Sequence, residues 1–260
     1  MTSLNIRWLG HAGFKISFPD QEGTQRSIYV DAWLQNPLLP AEYKDKTVDD
    51  ADLVLVTHGH FDHSSSAPDI VNKSTKQGVK LISNFEIGEH FKRHAGVEEG
   101  KIDRMNKGGT IDYGFCKITQ VSADHSSCCV TAEGHIESGG EATGFVIHIP
   151  QCNARIYHGG DTNVFSDMKI IEDLYHPNIL MIPIGDRFTM GPEGAAYACA
   201  NFFKSAKHIL PMHFGTFPLL TGTYEDFVAK LGDYKVDTAL LVNTPNFKDS
   251  DLCLQSASLA

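Results

Sequence analysis

Four side chains that can bind a metal ion lie within six positions, in the segment His-Gly-His-Phe-Asp-His at residues 58–63. Imidazole and carboxylate groups are suitable ligands for Zn²⁺, and also for Mn²⁺ or Fe²⁺. A loop of this composition can turn His58 and His60 one way. It can turn Asp62 and His63 the other way, so that two cations share one loop. The alternative interpretation is a solvated histidine-rich turn.

The run before this segment, Asp52–Thr57, is apolar, β-branched and continuous, which predicts a buried strand. A helix is predicted from about Pro68 to Lys76, with Ser65 or Ser66 as its N-cap and Gly78 after its end. The candidate ligands therefore stand where a strand stops and shortly before a helix begins. This context favours a metal site over a solvated turn.

Short strands and helices are predicted along most of the remaining chain. The predicted strands are Leu4–Leu9, Phe14–Phe18, Ser27–Ala32, Lys80–Ser83, Thr143–Ile149, Arg155–Tyr157, Ile179–Pro183 and Ile209–Met212, with strand-like alternation over Lys101–Ala123. The predicted helices are Phe85–His94, Phe165–Tyr175, Glu193–Lys204 and Tyr224–Leu231. The polar, glycine-rich segment Thr131–Glu141 is predicted to be a loop. Both halves of the chain change from β-rich to mixed β/α, which is typical of a layered sheet core with outer helices.

The composition is that of an ordinary globular protein of 260 residues, with 42% hydrophobic and 21% charged residues. The sequence has no long linker and no internal repeat, and we expect a single domain spanning residues 1–260. The net charge of −10 disfavours nonspecific binding to nucleic acid or to an anionic membrane surface. We find no membrane helix, no signal segment and no Cys-X-X-Cys pair among the six cysteines. We therefore expect a cytoplasmic protein with reduced thiols and no membrane insertion.

The motif at residues 58–63, placed after an apolar strand, resembles that of the metallo-β-lactamase superfamily. Later segments follow in the order of the superfamily's motifs: Ala123–Ser127, Tyr157–Thr162 and Met212–Phe214. Two more, Trp8–Phe14 and Pro183–Pro192, are similar to a narrower branch, the metal-dependent hydrolases related to L-ascorbate-6-phosphate lactonases. The resemblance extends from about Ile6 to about Phe227. It implies an α/β fold, an αββα sandwich of two mixed β-sheets flanked by helices.

The resemblance also implies two divalent metal ions, Zn or Mn, and a set of ligands for them. One ion would be bound by His58, His60 and His125. The second would be bound by Asp62, His63 and His213, and Asp161 would bridge the two. Water held between two such ions is hydroxide near neutral pH, so no serine or cysteine nucleophile is needed. The residues assigned to catalysis are Asp62, Asp161 and His11.

Further residues are expected to support these ligands. Asp31 matches an early aspartate of the superfamily and is expected to orient a ligand histidine or the loop of residues 58–63. The alternative for Asp31 is an ordinary aspartate in a turn. His158, three positions before Asp161, is expected to pack beside the ligands or to hold one of them. His11 is a candidate to face the substrate or to protonate a leaving group, with a purely structural histidine as the alternative.

Arg187 and Thr189 lie in a loop after the predicted strand Ile179–Pro183. Loops after strand ends border the site in sheet-based folds, and both residues are candidates to bind an anionic group of the substrate. The Arg187 guanidinium could form a fork to a phosphate or a carboxylate. The alternative for Arg187 is an internal salt bridge to Asp186 or Glu193.

The combined prediction is a metal-dependent hydrolase in which a hydroxide bridging two metal ions attacks a small ester, lactone or phosphodiester. A small anionic substrate is compatible with this site, and no nucleic-acid partner is expected. The alternatives are a metal-dependent nuclease or phosphodiesterase, which the net charge of −10 disfavours, and a non-enzymatic metal-binding protein that retains the site. A mono-iron dioxygenase and a flavodiiron-type protein are also considered, although the second needs a flavin domain after about Phe227. A homo-oligomer is considered too, with Cys128–Thr143 as either an oligomer contact or a lid.

Overall fold

The structure is a computed structural model, and it describes residues 2–244 and 251–259. Its strands are β1 (Ser3–Trp8), β2 (Phe14–Pro19), β3 (Gln25–Val30), β4 (Leu53–Leu55), β5 (Lys80–Asn84), β6 (Ile102–Met105), β7 (Thr110–Asp112), β8 (Lys117–Ser122), β9 (Cys128–Val130), β10 (Ile136–Ser138), β11 (Thr143–Ile149), β12 (Ala154–His158), β13 (Ile179–Pro183), β14 (His208–Met212) and β15 (Leu252–Gln255). Its α-helices are α1 (Ala41–Lys44), α2 (Phe61–Ser64), α3 (Ala67–Lys73), α4 (Phe85–His94), α5 (Met168–Tyr175), α6 (Pro192–Asn201) and α7 (Tyr224–Asp233). Short 3-10 helices cover Glu99–Lys101, Pro150–Cys152, Thr238–Leu240 and Ser256–Leu259.

Two mixed sheets form the centre of the described chain. The first has the order β15-β1-β2-β3-β4-β5-β6, with parallel pairing from β3 to β6 and antiparallel pairing elsewhere. The second has the order β14-β13-β12-β11-β8-β7, with parallel pairing from β12 to β14 and antiparallel pairing elsewhere. β9 and β10 form a separate two-stranded hairpin. The predicted α/β fold with two mixed sheets is confirmed.

The inner faces of the two sheets contribute to one apolar core. Phe14, Ile16 and Phe18 of β2 are buried and alternate with half-buried residues, which is the pattern of a strand with one covered face. From the second sheet, β11 contributes Phe145 and Ile147 to the same cluster. Burial of apolar surface stabilises by about 25 cal/mol per Å², so this shared core holds the sheets together.

Helices cover the outer face of each sheet, and β4 and β13 are consequently buried along their whole length. On the first sheet, Val54 belongs to a second apolar cluster with Val71 of α3 and Phe91 of α4. On the second sheet, α5 and α7 contribute Ile171 and Phe227 to the main core. The order of layers is therefore helix, sheet, sheet, helix.

The strand directions bring the candidate ligands to one edge of this sandwich. β1, β3 and β4 run in one direction within the first sheet. β8, β12 and β14 likewise share one direction within the second sheet. The residues that follow the carboxyl ends of these strands include Asp31 after β3, His58 after β4, His125 after β8, Asp161 after β12 and His213 after β14.

Most predicted elements agree with the observed ones to within a few residues. α4 and β13 begin and end at the predicted residues. The helix predicted to start at Pro68 is α3, and the side chain of Ser66 does not cap it. The Ser66 hydroxyl instead accepts a hydrogen bond from the Leu34 amide at 2.9 Å and donates one to Gln35 at 3.0 Å.

The segment Thr131–Glu141, predicted to be a loop, contains the strand β10. β10 pairs with β9 through Ile136↔Val130 and Ser138↔Cys128. The prediction is wrong at these residues because β10 contributes no buried side chain to the core. Ile136 is 77% exposed, so the segment lacks the apolar alternation that marks a half-buried strand.

Two further features concern the described helices and the thiols. Within residues 2–244 and 251–259, no helix has both the length and the apolar composition needed to cross a membrane. All six cysteines are free thiols. Burial raises the pKa of Cys129 to about 12, so this thiol stays protonated at neutral pH and is a poor nucleophile.

Truncating one inner-face residue of β11 tests the importance of the shared core. Ile147 is fully buried in the main cluster, and Ile147→Ala should lower the free energy of unfolding by about 2–5 kcal/mol. Ile170→Ala is the matched control, because this isoleucine of α5 is 52% exposed and exposed truncations change stability by less than about 0.5 kcal/mol. Urea titration followed by circular dichroism measures both. Equal destabilisation by the two variants would contradict the assignment of the core.

Candidate metal centre

The loop that follows β4 presents its ligand-capable side chains in two directions. His58 and His60 lie in the loop itself, whereas Asp62 and His63 lie in α2, which begins at Phe61. The His63 amide donates a hydrogen bond to the His60 carbonyl at 3.1 Å, which closes the first turn of the helix. The change from loop to helix gives the side chains the two orientations expected from the sequence.

Three histidines form what we call the first donor cluster: His58, His60 and His125. One ring nitrogen from each lies within 4.8 Å of those of the others. His58 Nε2 is 3.0 Å from His60 Nδ1. His58 is fully buried, while His60 and His125 are half-buried and line a cavity. The cluster is therefore reachable from solvent through this cavity.

The second donor cluster consists of four buried residues: His11, Asp62, His63 and His213. One donor atom from each of the four residues lies within 4.8 Å of those of the other three. Asp62 Oδ2 lies 2.9 Å from His11 Nε2, 3.8 Å from His213 Nε2 and 4.0 Å from His63 Nε2. The sequence assigned three of these residues to a metal and left His11 outside the ligand set.

Asp161 stands between the two clusters. Its Oδ2 lies 3.8 Å from His58 Nε2 and 3.6 Å from His125 Nε2, both in the first cluster. The same oxygen lies 3.0 Å from His213 Nε2, and Oδ1 lies 3.2 Å from His63 Nε2, both in the second cluster. A single carboxylate thus contacts groups of both clusters, as a residue shared by two ions requires.

The buried donor atoms of this region fit divalent metal ions. His63 Nε2, Asp161 Oδ1 and both ring nitrogens of His213 are buried without a well-aligned hydrogen-bond partner. Buried polar atoms are otherwise nearly always satisfied, because an unpartnered one loses its hydration without compensation. Imidazole and carboxylate donors converging in this way suit Zn²⁺, Mn²⁺ or Fe²⁺.

The electrostatics of the clusters favour the same conclusion. Burial, helped by the neighbouring His63, holds the pKa of His58 well below its usual range, which leaves a neutral imidazole with a lone pair for metal binding. Burial alone would raise the pKa of Asp161, but His213 and His63 hold it well below its usual range. For His63, burial is outweighed by the carboxylates of Asp161, Asp31 and Asp62, which raise its pKa. A bound cation would therefore stabilise the buried carboxylates of this centre.

Asp31 orients one of the ligand candidates from behind. His63 Nδ1 donates a hydrogen bond to Asp31 Oδ2 at 2.8 Å, which turns the opposite nitrogen of the ring towards Asp161. The Thr57 hydroxyl and amide also donate to Asp31, at 2.6 and 2.9 Å, so the same carboxylate holds the start of the loop. Asp31 therefore contacts both a ligand candidate and the start of the loop.

His11 and His158 are both fully buried, but they contact different parts of the site. Burial and the neighbouring His213 lower the pKa of His11 to about 4, so its neutral ring donates to Asp62 and accepts from the Thr216 hydroxyl at 2.6 Å. His158 donates to the Ala12 carbonyl at 2.9 Å and accepts from the Gly160 amide at 3.2 Å. His158 therefore fixes the backbone just before Asp161.

Arg187 and Thr189 contact neighbouring residues of their own loop. The Arg187 guanidinium lies 5.7 Å from the centre of the Phe188 ring, and the Thr189 hydroxyl donates to the Met190 carbonyl. The two acids considered as salt-bridge partners of Arg187 make other contacts. Asp186 accepts from the Thr221 hydroxyl at 3.2 Å, and Glu193 pairs with Lys230 at 2.7 Å.

A cavity of about 540 Å³, which we call the central cavity, opens onto both clusters. Its polar part is formed by His60, Asp62, His125, Asp161 and His213. Its remaining lining is mostly apolar: Phe61, Val130, Phe188, Phe217, Pro218 and Leu219, together with Ser126 and Cys128. This apolar wall was not predicted from the sequence. Two positions could have indicated it: Phe61 lies inside the ligand motif, and Phe188 lies next to Arg187.

Comparison with known proteins shows which sequences and structures the chain resembles. Residues 26–214 match the sequence pattern of the β-lactamase superfamily domain. A metal-dependent hydrolase of Rubrobacter xylanophilus is 41% identical over 223 residues, which cover 85% of this chain and 86% of that protein. A metal-dependent hydrolase of Koribacter versatilis is 43% identical over 223 residues, which cover 85% of this chain and 89% of that protein. Among solved structures, a metallo hydrolase of Ignicoccus hospitalis is similar with a TM-score of 0.76 at 27% identity, covering 97% of this chain and 99% of that one.

Asp31→Asn tests the support of His63. The substitution keeps the size of the side chain but removes the charge that fixes the ring, and metal affinity should fall by about 10- to 100-fold. Competition with a chromophoric chelator measures the affinity. Asp124→Asn is the control, because this exposed neighbour of His125 contacts Asn163 rather than a ligand candidate. An unchanged affinity in Asp31→Asn would show that the contact is not needed to hold the ring.

Proposed function

Because the chain belongs to the metallo-β-lactamase superfamily and is a metal-dependent hydrolase, we propose that it cleaves a small ester or lactone that carries an apolar group. The observation that carries this proposal is the central cavity, whose polar floor of histidines and aspartates is enclosed by an apolar wall. The floor supports the hydrolytic chemistry. The wall supports the substrate class.

The metal ions are proposed to be two, Zn or Mn, in the positions of the two donor clusters. His58, His60 and His125 would hold one, Asp62, His63 and His213 the other, and Asp161 would contact both. When bound, such ions supply hydroxide at neutral pH and polarise the bond to be cleaved. His11, which donates to Asp62, is proposed to fix that carboxylate rather than to protonate a leaving group, since its own ring is fully buried.

The wall of the central cavity favours an uncharged substrate with an apolar substituent. Phe61, Val130, Phe188 and Leu219 are between 48% and 59% exposed, although large apolar side chains gain from burial. A substrate group placed against them would remove this surface from water. Among the described residues that line the cavity there is no lysine or arginine to receive a phosphodiester, so an ester or lactone is favoured over the nuclease and phosphodiesterase alternatives.

A substrate series on the Zn- or Mn-loaded protein tests the proposal. It comprises p-nitrophenyl esters and γ-lactones of increasing alkyl length, a phosphorylated lactone and bis-p-nitrophenyl phosphate. We expect kcat/KM to increase with alkyl length and to be lowest for the phosphodiester. The highest kcat/KM for a charged substrate would overturn the proposal in favour of the anionic substrate considered from the sequence. Asp161→Ala is the inactive control, and full turnover by a metal-loaded Asp161→Ala protein would refute its role.

Phe188→Ala tests the apolar wall itself. Removing the ring should lower kcat/KM for long-chain esters by about tenfold, corresponding to about 1.4 kcal/mol of lost apolar contact, and leave the acetate ester nearly unchanged. Phe85→Ala is the matched control, since this phenylalanine at the start of α4 is 57% exposed and lies outside the central cavity. A uniform loss across all chain lengths would indicate damage to the metal centre instead of a lost contact with the substrate.

A further inference from the structure

A group of three ligand-capable side chains lies outside the metal centre, between α4 and the β9–β10 hairpin. His90 and His94 are four residues apart on α4, a spacing that places them on the same face of a helix. Glu137 of β10 faces them from the hairpin. One donor atom from each of the three lies within 4.8 Å of those of the others.

The carboxylate of Glu137 lies between the two imidazoles. Oε2 is 2.9 Å from His90 Nδ1, and Oε1 is 3.2 Å from His94 Nε2. The two rings are 4.8 Å apart, centre to centre. Donor atoms around a tetrahedral zinc ion with bonds of about 2.0–2.1 Å are about 3.3–3.4 Å apart, so small side-chain rotations would give this group a ligand geometry.

The chemistry of the three groups is that of a transition-metal site. Two histidines four residues apart on a helix bind zinc together in many proteins, and a carboxylate from a second element is a common third ligand. The hydrogen bond from His90 holds the pKa of Glu137 below its usual range, so the carboxylate is charged at neutral pH. Side chains of His90, His94 and Glu137 are 11%, 35% and 42% exposed, which leaves solvent access for an ion and for water as a fourth ligand.

We propose that His90, His94 and Glu137 bind one zinc ion or a similar transition-metal ion, separate from the metal centre. The ion would join the hairpin to α4. This matters for the central cavity, because Cys128 and Val130 of β9 are part of its lining. A cleft of about 220 Å³ beside the group is lined by His90 and His94 and shares Phe61 and Val130 with the central cavity. The bound ion would therefore hold one wall of the central cavity in place.

Metal stoichiometry and affinity test the proposal. The intact protein, His94→Ala, Glu137→Gln and His135→Ala are dialysed against Zn²⁺ and analysed for metal. His135→Ala is the matched control, because this exposed histidine lies in the turn of the same hairpin. We expect the intact protein and the control to bind one zinc more than the other two variants, or to bind it at least about 10-fold more tightly.

A second measurement tests whether the bound ion connects the hairpin to α4. Amide hydrogen exchange over residues 128–138 should slow when Zn²⁺ is added to the intact protein and to His135→Ala, but not to Glu137→Gln. Equal zinc content and equal exchange in all four proteins would overturn the proposal and leave a hydrogen-bonded surface group without an ion. Glu137→Gln keeps the volume and hydrogen-bonding capacity of the side chain, so it remains informative if His94→Ala does not fold. Neither readout depends on the substrate, so failure here is distinguishable from failure of the proposed hydrolysis.

Discussion

The constraint on which the structure depends is the burial of three carboxylates at the junction of two sheets. Asp31, Asp62 and Asp161 are all buried, in a position where unpaired charge would be very costly. Each contacts at least one imidazole group, and His63 contacts all three. Asp31 and His63 follow strands β3 and β4 of the first sheet, and Asp161 follows β12 of the second. The ionic contacts therefore link the same two layers that the apolar core holds together.

The backbone at this junction adopts conformations that are unfavourable in isolation. His11, Asp31 and His213 have φ angles of 53°, 43° and 57°, in the left-handed region, where a residue other than glycine costs about 1–3 kcal/mol. Direct contacts stabilise two of these turns: the Trp8 indole donates to the His11 carbonyl at 2.9 Å, and the His213 amide donates to the same carbonyl at 3.0 Å. Gly185 has no room for a side chain, because a Cβ would lie 2.0 Å from the His213 carbonyl oxygen. Such strain is typical of sites whose geometry is fixed by function.

Local pattern explains which parts of the molecule the sequence could predict. β13 is a continuous apolar run, and α4 begins after Asn84, whose side chain caps it. The bounds of both elements therefore follow from residues close in the chain. The ligand candidates after β4 were identified from spacing and resemblance, because four donors within six positions need no knowledge of the fold. β15 was missed because its pairing with β1 joins residues about 250 positions apart, which no local pattern reveals. The strand β10 was missed because none of its residues is buried, so it shows no apolar alternation.

The substrate-facing part of the site was less predictable than its metal-facing part, for a physical reason. Metal ligands are restricted to a few residue types, whereas an apolar wall can be built from any large hydrophobic residue that stays exposed. Phe214 and Phe217 illustrate this, since either phenylalanine of this short segment could equally well pack in the core. Phe214 is indeed buried and stacks on Trp8 at 5.7 Å, but Phe217, three residues later, lines the central cavity. Only the turn at Gly215, with φ of 71°, separates the two environments.

The net charge of −10 also takes on a more specific meaning at the level of the site. The proposed pair of divalent ions would outweigh Asp62 and Asp161, the carboxylates that line the central cavity, so the floor of a loaded site would be cationic within an acidic protein. A cationic floor stabilises the negative charge that develops on an oxygen during ester or lactone cleavage. The rest of the substrate would meet an apolar wall. The charge that such a site recognises is therefore the charge formed in the reaction, and the substrate itself need carry none.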